Sequence, residues 1–577
     1  MKNQEVAKIL YEIAGFLEME EVAFKPTAYK RAALTLNMLS KSIEDIYKKD
    51  GLKGLEELSG IGKNIAEKIE EYLKTGQIKY YQKLKKKTPV EIEELTTIEG
   101  MGPIKVKVLY QKLGIRNLKD LEKAGKSHKI ASLFGFGEKT EKNILEGIAF
   151  LRKSKGRFLL GEILPAVQKI GERLKALKEV KELSVAGSVR RMKETIGDVD
   201  ILVVSQSPDK VMEFFVSMPE VIKIWSKGPT RSSIRIKQGF DIDLRVVPIK
   251  SFGSALQYFT GSKEHNIITR RIAMTQGLKL NEYGLFKGKN RVAEKTEKEI
   301  YNILGMKWMP PELRENQGEI EAALKGKLPK LIELKDIKGD LHCHSSWNGG
   351  QNTIEQMAQT AIEMGYEYLG ITDHTKFLKI EHGLNERQLA QQKKEIEKLN
   401  KKFRILGFKF QLLHSAETNI LNNGLIDINN KALKKLDYAI AGIHSNFKMP
   451  KEKMTERIIK AMKNPYIKII SHPTGRILKK RDQYQCDFDK ILRAAKEFDV
   501  ILEINSQPKR LDLNDINIRK TKEAGVKMII NTDAHHKDHL TFMKLGVAQA
   551  RRGWAEKKDI INTLPLEKLL KVFHRQT

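Results

Sequence analysis

The sequence predicts a multidomain α and α/β protein, in which small helical domains precede an α+β domain and a barrel of alternating strands and helices. Three observations support this order. Short amphipathic segments broken by glycines fill the first part of the chain, and an Asp-x-Asp pair opens an apolar, β-branched run near residue 200. From residue 340 onward, histidines follow strand-like runs. The 577 residues can hold about three to five domains.

The composition is that of a globular protein, with 40% hydrophobic and 31% charged residues. The net charge of +32 favours a polyanionic partner such as nucleic acid, although lysine-rich coding from an AT-rich genome would give a similar excess. Two cysteines, Cys343 and Cys486, cannot build a disulfide framework. The start shows no signal-peptide core and the chain shows no membrane-length apolar run, so we expect a cytoplasmic protein without a membrane partner.

Three glycine-containing turns recur in the first part of the chain: Leu58–Gly62, Ile98–Gly102 and Phe134–Gly137. Each leads into a helix with apolar periodicity, a pattern that resembles a helix-hairpin-helix clamp for the DNA backbone. Two glycines allow a tight turn, and the free N–H groups at the next helix start can bind a phosphate. One Gly-x-Gly is common between helices, whereas three copies are specific. The predicted DNA-binding residues of these turns are Gly60, Gly62, Lys63, Gly100, Gly102, Gly135 and Gly137.

Residues 187–200 combine a Gly-Ser turn, two arginines and an Asp-x-Asp pair. The apolar run after Asp200 predicts a strand, so Asp198 and Asp200 project from one face of it. Two carboxylates this close repel each other, and a divalent cation is the usual remedy. A predicted hairpin of residues 232–237 and 241–247 adds Asp243 if it pairs with that strand. Three such aspartates suit a pair of Mg²⁺ or Mn²⁺ ions in nucleotidyl transfer, whereas Asp-x-Asp alone is more often a solvated strand end.

The motifs Gly187-Ser188-x-Arg-Arg191, Gly197-Asp-x-Asp200, Asp243-x-Arg245 and Tyr258-Phe-Thr-Gly-Ser262 together resemble the palm of the family X DNA polymerases, the group of DNA polymerase beta. The resemblance implies a DNA-directed DNA polymerase that fills short gaps during repair, as in base excision repair or end joining. Its substrates would be gapped or primed duplex DNA and deoxynucleoside triphosphates, and Asp198, Asp200 and Asp243 would be catalytic. The implied nucleotide-binding residues are Arg157, Gly187, Ser188, Arg191, Gly197, Tyr258, Phe259, Gly261, Asn266 and Arg270.

Two further features follow from this resemblance. One is a departure: Asp241 occupies a position that is often basic in the polymerase beta branch. The other is a lyase domain at the start of the chain, in which a lysine attacks the aldehyde of an abasic site. The matching lysine is Lys68, which would need cationic neighbours to be partly neutral and would otherwise be one more solvated helix lysine. The implied 5′-phosphate pocket consists of Lys25, Tyr29, Lys30 and Lys63.

The histidines are concentrated in the second half, where 11 of the 13 lie at or beyond His342. Most follow strand-like runs, which is typical of a βα barrel that gathers its site residues at the strand ends. Histidine and carboxylate ligands placed in this way suit Zn²⁺, Mn²⁺ or Fe ions. The set resembles the PHP (polymerase and histidinol phosphatase) domain, which bacterial and archaeal family X polymerases often carry at their C-terminus. The ligands implied by that resemblance are His342, His344, His374, Glu417, His444, His472, Asp533 and His535.

The PHP resemblance implies a distorted (β/α)7-type barrel with up to three metal ions, acting as a 3′–5′ exonuclease, with cleavage at abasic sites as a further activity. Gly349 stands where the family's first motif normally has an aspartate ligand, so one ion could be lost. The alternative is a PHP domain that only supports the structure and holds DNA. A third interpretation, a nucleotidyltransferase that acts on something other than DNA, conflicts with the glycine turns and with Tyr258–Ser262.

The predicted organisation has six parts, and the family precedent predicts a monomer. They are a lyase-like helical domain (1–85), a second helical DNA-binding subdomain (86–152), the palm (153–250), a subdomain that closes over the nascent base pair (251–315), a linker (316–335) and the PHP domain (336–577).

Overall fold

The computed structural model describes residues 2–39, 42–58, 60–96, 98, 101–153, 156–378 and 382–573. The chain forms two compact units: residues 1–155 with 479–481, and residues 156–478 with 482–577. Among the described residues, no helix is both long enough and apolar enough to cross a membrane.

The described part of the first unit is helical, as the sequence predicts. Its helices are α1 (Lys2–Met19), α2 (Lys25–Met38), α3 (Ile43–Glu56), α4 (Lys63–Thr75), α5 (Lys79–Lys87), α6 (Ile92–Thr96), α7 (Pro103–Leu113), α8 (Leu118–Lys126) and α9 (Gly137–Lys153). Helix α1 packs against α2, α5, α6 and α7. Its fully buried Val6, Leu10 and Ile13 belong to one apolar cluster that extends to all three glycine turns. The helical amphipathicity read from the sequence therefore builds a single core.

The second unit opens with the palm. Its elements in chain order are β1 (Phe158–Leu159), α10 (Leu160–Lys175), β2 (Val180–Val185), α11 (Gly187–Arg190), β3 (Thr195–Ile196), β4 (Asp198–Ser205), α12 (Pro208–Val216), β5 (Val221–Lys227), β6 (Arg231–Ile236) and β7 (Asp241–Val247). Five strands form a sheet in the order β2-β4-β7-β6-β5. The predicted hairpin is present as β6 and β7, and β7 pairs in parallel with β4. Buried Val199, Ile201 and Val203 of β4 join the palm core beneath the sheet.

The next subdomain and the connector after it form a continuous packed structure. The elements are α13 (Phe252–Thr260), α14 (Lys263–Thr275), β8 (Lys279–Asn281), β9 (Gly284–Lys287), β10 (Asn290–Ala293), α15 (Glu297–Ile303) and α16 (Glu319–Leu324). Helix α16 lies within residues 316–335, for which we predicted a linker. Its Ile320 and Ala323 share a buried cluster with Tyr301, and buried Glu319 lies 2.8 Å from His265. The segment is thus packed against α14 and α15 over its helical part.

The last part is a barrel of parallel strands. Its strands are β11 (Gly339–Cys343), β12 (Tyr368–Ile371), β13 (Gln411–His414), β14 (Glu417–Asn419), β15 (Ala439–Gly442), β16 (Ile467–Ile470), β17 (Ile501–Asn505) and β18 (Met528–Asn531). Strands β11 to β13 form one sheet and β14 to β18 form a second sheet. The parallel bridges Cys343–Ala534 and His374–Glu417 join the two sheets at both ends. Only Ser415 and Ala416 separate β13 from β14, so the two count as one bent strand. The predicted distorted barrel of seven strands is confirmed.

Helices follow the barrel strands, as expected for βα repeats. They are α17 (Ile354–Glu363), α18 (Glu386–Ile405), α19 (Asn430–Leu433), α20 (Lys451–Met462), α21 (Phe488–Glu497), α22 (Asp515–Glu523), α23 (Met543–Arg552) and α24 (Leu566–Phe573). The strands contribute one residue each to a common buried cluster that includes Leu341, Leu413, Ile440, Ile469 and Ile529. This layer closes one end of the barrel, so that polar strand-end residues can gather at the other end.

Candidate active sites in the palm and the barrel

The three palm aspartates lie on neighbouring strands. The parallel pairing of β4 with β7 sets Asp200 directly opposite Asp243, with Asp198 two residues before Asp200. Burial, together with the negative charges of Asp198 and Asp243, raises the pKa of Asp200 to about 6. Gly187 lies so close that a Cβ there would be 2.3 Å from a carboxylate oxygen of Asp200, and its φ is +60°. Only glycine allows the turn and the carboxylate to approach in this way.

A cavity of about 430 Å³ opens beside these carboxylates. It brings together all ten residues for which the resemblance implies nucleotide binding, along with Asp198 and Asp200. Two cationic residues that the sequence analysis did not name, Lys193 and Lys263, also line it. No motif marked them, because each is one lysine among many, but each lies within two residues of a cavity residue. The cavity thus has a carboxylate side and a strongly cationic side, which is suited to a metal–triphosphate.

Hydrogen bonds fix the orientation of several cavity residues. Arg157 donates from Nε to the hydroxyl of Thr195 at 2.9 Å, and Arg191 donates from Nε to Glu315 at 3.0 Å. The Asn266 amide donates to the carbonyl of Tyr258 at 2.7 Å. Locking these side chains before ligand binding lowers the conformational entropy lost on binding.

Asp241, which replaces an often basic residue, is paired on the adjacent strand. Arg235 of β6 donates to both of its carboxylate oxygens, at 2.8 and 2.9 Å, and Trp225 donates to it at 2.9 Å. These hydrogen bonds from Arg235 lower the pKa of Asp241. A second arginine of β6, Arg231, lies 3.0 Å from Asp243. The positive charge beside the third aspartate therefore comes from the neighbouring strand.

In the barrel, the eight predicted ligands converge at the strand ends. Glu417 is central: its oxygens lie 3.3 Å from His342 Nε2, 3.0 Å from His374 Nδ1 and 3.0 Å from His472 Nε2. The Nε2 atom of His444 lies 3.4 Å from the same carboxylate, and that of His344 lies 3.3 Å from Asp533. Three groups have ligand atoms within 4.8 Å of one another: His344–His374–His535, His342–His344–Asp533 and His374–Glu417–His444.

The donor atoms of this cluster fit divalent metal ions. Among the eight predicted ligands, five histidines have a buried imidazole nitrogen with no hydrogen-bond partner among the described residues: His342, His344, His374, His444 and His472. Outside the ligand set, His414 is also buried without such a partner. A buried polar atom without a partner is costly, and coordination to a metal would satisfy it. Burial and the neighbouring imidazoles of His535 and His374 lower the pKa of His344 well below its ordinary value. Burial opposes ionisation of Glu417, yet the surrounding imidazoles hold the pKa of that carboxyl well below its usual range.

A further layer of residues, which the sequence analysis missed, orients these ligands. Glu503 accepts a hydrogen bond from His342 Nδ1 at 2.7 Å and from the main-chain N–H of His472 at 2.7 Å. The Nδ1 atom of His444 lies 2.8 Å from the side-chain oxygen of Asn419. Such partners fix the ring so that its other nitrogen points to the metal. The sequence did hold a signal for Glu503, because it is a charged residue within the otherwise apolar run of β17.

Gly349 and its neighbour Asn348 do not supply a ligand for the cluster. The amide of Asn348 exchanges two hydrogen bonds with the main chain of His374, at 2.7 and 3.0 Å. Gly349 is exposed and has a φ of +65°. Asn348 thus holds the His374 segment in place, and the position of the usual aspartate carries no side chain.

In the first unit, each glycine turn contains a main-chain hydrogen bond from an N–H group to the carbonyl three residues earlier. The N–H groups of Ile61, Met101 and Phe136 donate to the carbonyls of Leu58, Ile98 and Leu133 at 3.0, 3.0 and 3.1 Å. Gly62 and Gly102 are N-caps with nearly identical backbone angles, φ of −83° and −80°. Gly137, at φ +62°, differs from them, and Gly60 and Gly135 take the positive φ of the turn. Gly100 lies outside the described residues.

Around Lys68 the structure shows a half-buried helix lysine. Its Nζ donates to the carbonyl of Asn64 at 3.0 Å and lies 5.4 Å from the ring centroid of Tyr80. Lys30 forms an ion pair with Glu18 at 2.5 Å, and Lys25 and Lys63 are exposed. Tyr29 is buried, which raises its pKa to about 12.

These features define a class: a nucleotidyltransferase palm joined to a barrel with histidine–carboxylate metal groups. Comparison with known proteins gives the same division. Family models match a helix-hairpin-helix domain at residues 1–78, a SAM-like helix-hairpin-helix tandem at 92–149, a DNA polymerase beta thumb at 255–315 and a PHP domain at 340–507.

The chain is 35% identical over 572 residues to the DNA polymerase/3′-5′ exonuclease PolX of Bacillus subtilis (strain 168), with 98% of each chain covered. It is 34% identical over 208 residues to a probable phosphatase of Thermoanaerobacter sp. (strain X514), which covers 34% of this chain and 78% of that protein. A probable phosphatase of Caldanaerobacter subterraneus is 32% identical over 223 residues, or 37% of this chain and 80% of its own length. The chain belongs to the family X DNA polymerases that carry a PHP domain, as the sequence analysis predicted.

Proposed function

We propose that this protein is a DNA-directed DNA polymerase that fills short gaps during DNA repair, and that its PHP domain is a metal-dependent 3′–5′ exonuclease. The observation that supports it most is the cavity of about 430 Å³, in which carboxylates from β4 face the Gly-Ser turn and a set of cations. The relative that aligns over 98% of both chains carries both activities in its name.

In the palm, Asp198, Asp200 and Asp243 would hold Mg²⁺ or Mn²⁺, which would supply charge neutralisation for attack of a primer 3′-hydroxyl on a nucleotide α-phosphate. The backbone N–H groups and hydroxyl of the Gly187–Ser188 turn bind the triphosphate, with Arg157, Arg191 and Lys193 as counter-charges. The remaining cavity residues bind the rest of the nucleotide. Tyr258, Phe259 and Gly261 line the sugar side, and Asn266 and Arg270 face the base and template.

In the barrel, the eight strand-end ligands would hold two or three Mn²⁺, Zn²⁺ or Fe ions, which would supply the nucleophile and the electrostatic stabilisation for phosphodiester hydrolysis. Glu503 keeps the proton of His342 on Nδ1, so that Nε2 is the ligating atom. Arg510, 3.5 Å from Asp533, adds a positive charge that suits a phosphodiester next to the cluster. The same residues could cleave the backbone at abasic sites, since the bond broken is of the same type.

The partners that follow are gapped or primed duplex DNA and deoxynucleoside triphosphates. The glycine turns of the first unit would hold DNA through phosphates without sequence preference. We further propose that Lys68 acts as a Schiff-base nucleophile at abasic sites, with Lys25, Tyr29, Lys30 and Lys63 around the 5′-phosphate. A cytoplasmic monomer is the state we propose.

The test is a 5′-labelled primer on gapped DNA with Mn²⁺, with and without nucleotides. Wild type is compared with His342→Ala and with the double substitution Asp198→Ala/Asp200→Ala. With nucleotides, wild type and His342→Ala should extend the primer, and the double variant should not. Without nucleotides, wild type and the double variant should shorten it, and His342→Ala should not. Because each variant is the control for the other, loss of both activities in one variant would indicate misfolding.

One observation favours a second function for the barrel, a structural module without nuclease activity. Gly349 removes a usual ligand, and Asn348 is occupied with the main chain of His374. This alternative predicts normal extension and no shortening of the primer at any Mn²⁺ concentration.

A further inference from the structure

The nucleotide-binding turn of the palm is held by the barrel. Arg552, the last residue of α23, is only 3% exposed although it carries a charge. Its Nη1 donates to the main-chain oxygen of Arg191 at 2.9 Å and to Glu315 at 3.1 Å, while Nη2 pairs with Asp515. A buried arginine that has several acceptors is rigid, because its planar fork is fixed at more than one point.

Glu315 connects this arginine to the cavity. The oxygen that accepts from Arg552 also accepts from Arg191 Nε at 3.0 Å, and the other lies 3.6 Å from Lys193. Arg191 and Lys193 both line the cavity. Burial opposes ionisation of Glu315, but the charges of Arg552 and Arg191 hold the pKa of the carboxyl below its usual range. One ionised carboxylate therefore links a barrel side chain to two cations of the nucleotide site.

The barrel also holds the end of the same turn. Arg476 forms a bidentate pair with Glu194, at 2.7 and 3.2 Å, and the carbonyl of Glu194 accepts from Leu160 N at 3.1 Å. Leu511 and Leu545 of the barrel belong to the buried core of the palm. The turn between Arg191 and Glu194 is consequently fixed from the barrel at both ends.

We propose that Arg552 is a positioning residue of the polymerase site, which orients Arg191 for the triphosphate by holding its main chain and the Glu315 carboxylate. This inference rests on the proposed polymerase function. Without Arg552, Arg191 keeps its charge but loses part of its fixed orientation, so nucleotide binding must order it first. The PHP barrel would then serve nucleotide binding independently of its own metal cluster.

The test is steady-state incorporation by the full-length protein on gapped DNA, with Arg552→Met and Arg552→Lys. Arg551→Met and Arg551→Lys are matched controls: Arg551 is the neighbouring arginine of α23 and also bridges to the polymerase half, through Glu312 at 2.7 Å, but does not touch the turn. We expect Arg552→Met to raise the nucleotide KM about tenfold, the change expected for one lost charge-assisted hydrogen bond, with kcat changed less than about threefold. Primer shortening without nucleotides should stay within about twofold of wild type, and Arg552→Lys should restore part of the affinity.

A double-mutant cycle with Glu315→Gln gives a second readout. Because both substitutions break the same link, together they should raise KM less than the product of the single effects. Equal effects of Arg552→Met and Arg551→Met would overturn the inference, since they would indicate a general interface effect. If Arg552→Met does not fold, Arg552→Lys must raise KM relative to Arg551→Lys, and equal values would overturn it. Absence of incorporation by wild type would instead reject the polymerase function itself.

Discussion

Glu503 offers the sharpest test of how the barrel site is built, through the substitution Glu503→Gln. One carboxylate oxygen accepts from His342 Nδ1 at 2.7 Å and from Asn531 at 3.0 Å, and the other accepts from His472 N at 2.7 Å and from Asn505 at 3.1 Å. A glutamine must replace one of these acceptors with an NH₂ donor. The main-chain N–H of His472 cannot change, so the amide oxygen should stay there and the NH₂ should face His342 Nδ1.

His342 can accept from that NH₂ only by moving its proton to Nε2, the atom 3.3 Å from Glu417 that should bind metal. Losing an outer partner of a metal-bound histidine typically weakens metal affinity about 10- to 100-fold, or about 1.4 to 2.8 kcal/mol. We therefore expect Glu503→Gln to need correspondingly more Mn²⁺ for primer shortening, while primer extension stays at the wild-type rate.

The assay is a Mn²⁺ titration of both activities, together with calorimetric Mn²⁺ binding. Glu319→Gln is the matched control, because Glu319 is also fully buried and also pairs with a histidine, His265, at 2.8 Å but away from the cluster. It should lower stability without changing the Mn²⁺ dependence of shortening. Wild-type Mn²⁺ affinity in Glu503→Gln would refute the tautomer argument, as would an equal loss in Glu319→Gln.

Four further outcomes are expected. Since the pKa of Asp200 is raised to about 6, protons compete with metal below that pH. For one competing proton, the Mn²⁺ concentration needed for extension should rise about fivefold from pH 6 to pH 5, as Mn²⁺ titrations at each pH would show; a flat dependence would contradict this. Gly62→Ala should fold normally, because a Cβ there meets nothing within 4 Å, yet should weaken binding to gapped DNA about tenfold in a fluorescence titration by blocking the phosphate; unchanged affinity would exclude the turn from the interface. Lys68→Ala should abolish borohydride trapping on an abasic site, whereas Lys74→Ala, which removes an exposed lysine of the same helix, should not. Gly349→Asp should lower the Mn²⁺ concentration needed for primer shortening, because it restores a carboxylate at the usual ligand position. Aspartate is one of the few residues that adopt a φ of +65°, so the backbone can accept it; no change would mean that this position does not reach the metals.

The sequence alone was sufficient for the features that depend on local patterns. Asp198 and Asp200 share a strand face because a strand repeats every two residues, and the histidines converge because parallel strands of a barrel end on one side. The fold class and the family were predicted for the same reason: their signals, the glycine turns and the strand-end histidines, lie within short segments. The roles of the individual site residues remain predictions.

Tertiary structure decided what joins distant parts of the chain. The packing of α16 depends on Glu319 reaching His265, whereas the pairing of Arg235 with Asp241 lies within the hairpin that the sequence predicted. Arg552 and Arg191 are 361 residues apart, and no local pattern relates them. Glu503 differs, since a charge within an apolar strand signals a buried partner, although not which one. Such contacts depend on how the elements pack, because each partner is an ordinary charged residue until the fold removes it from water.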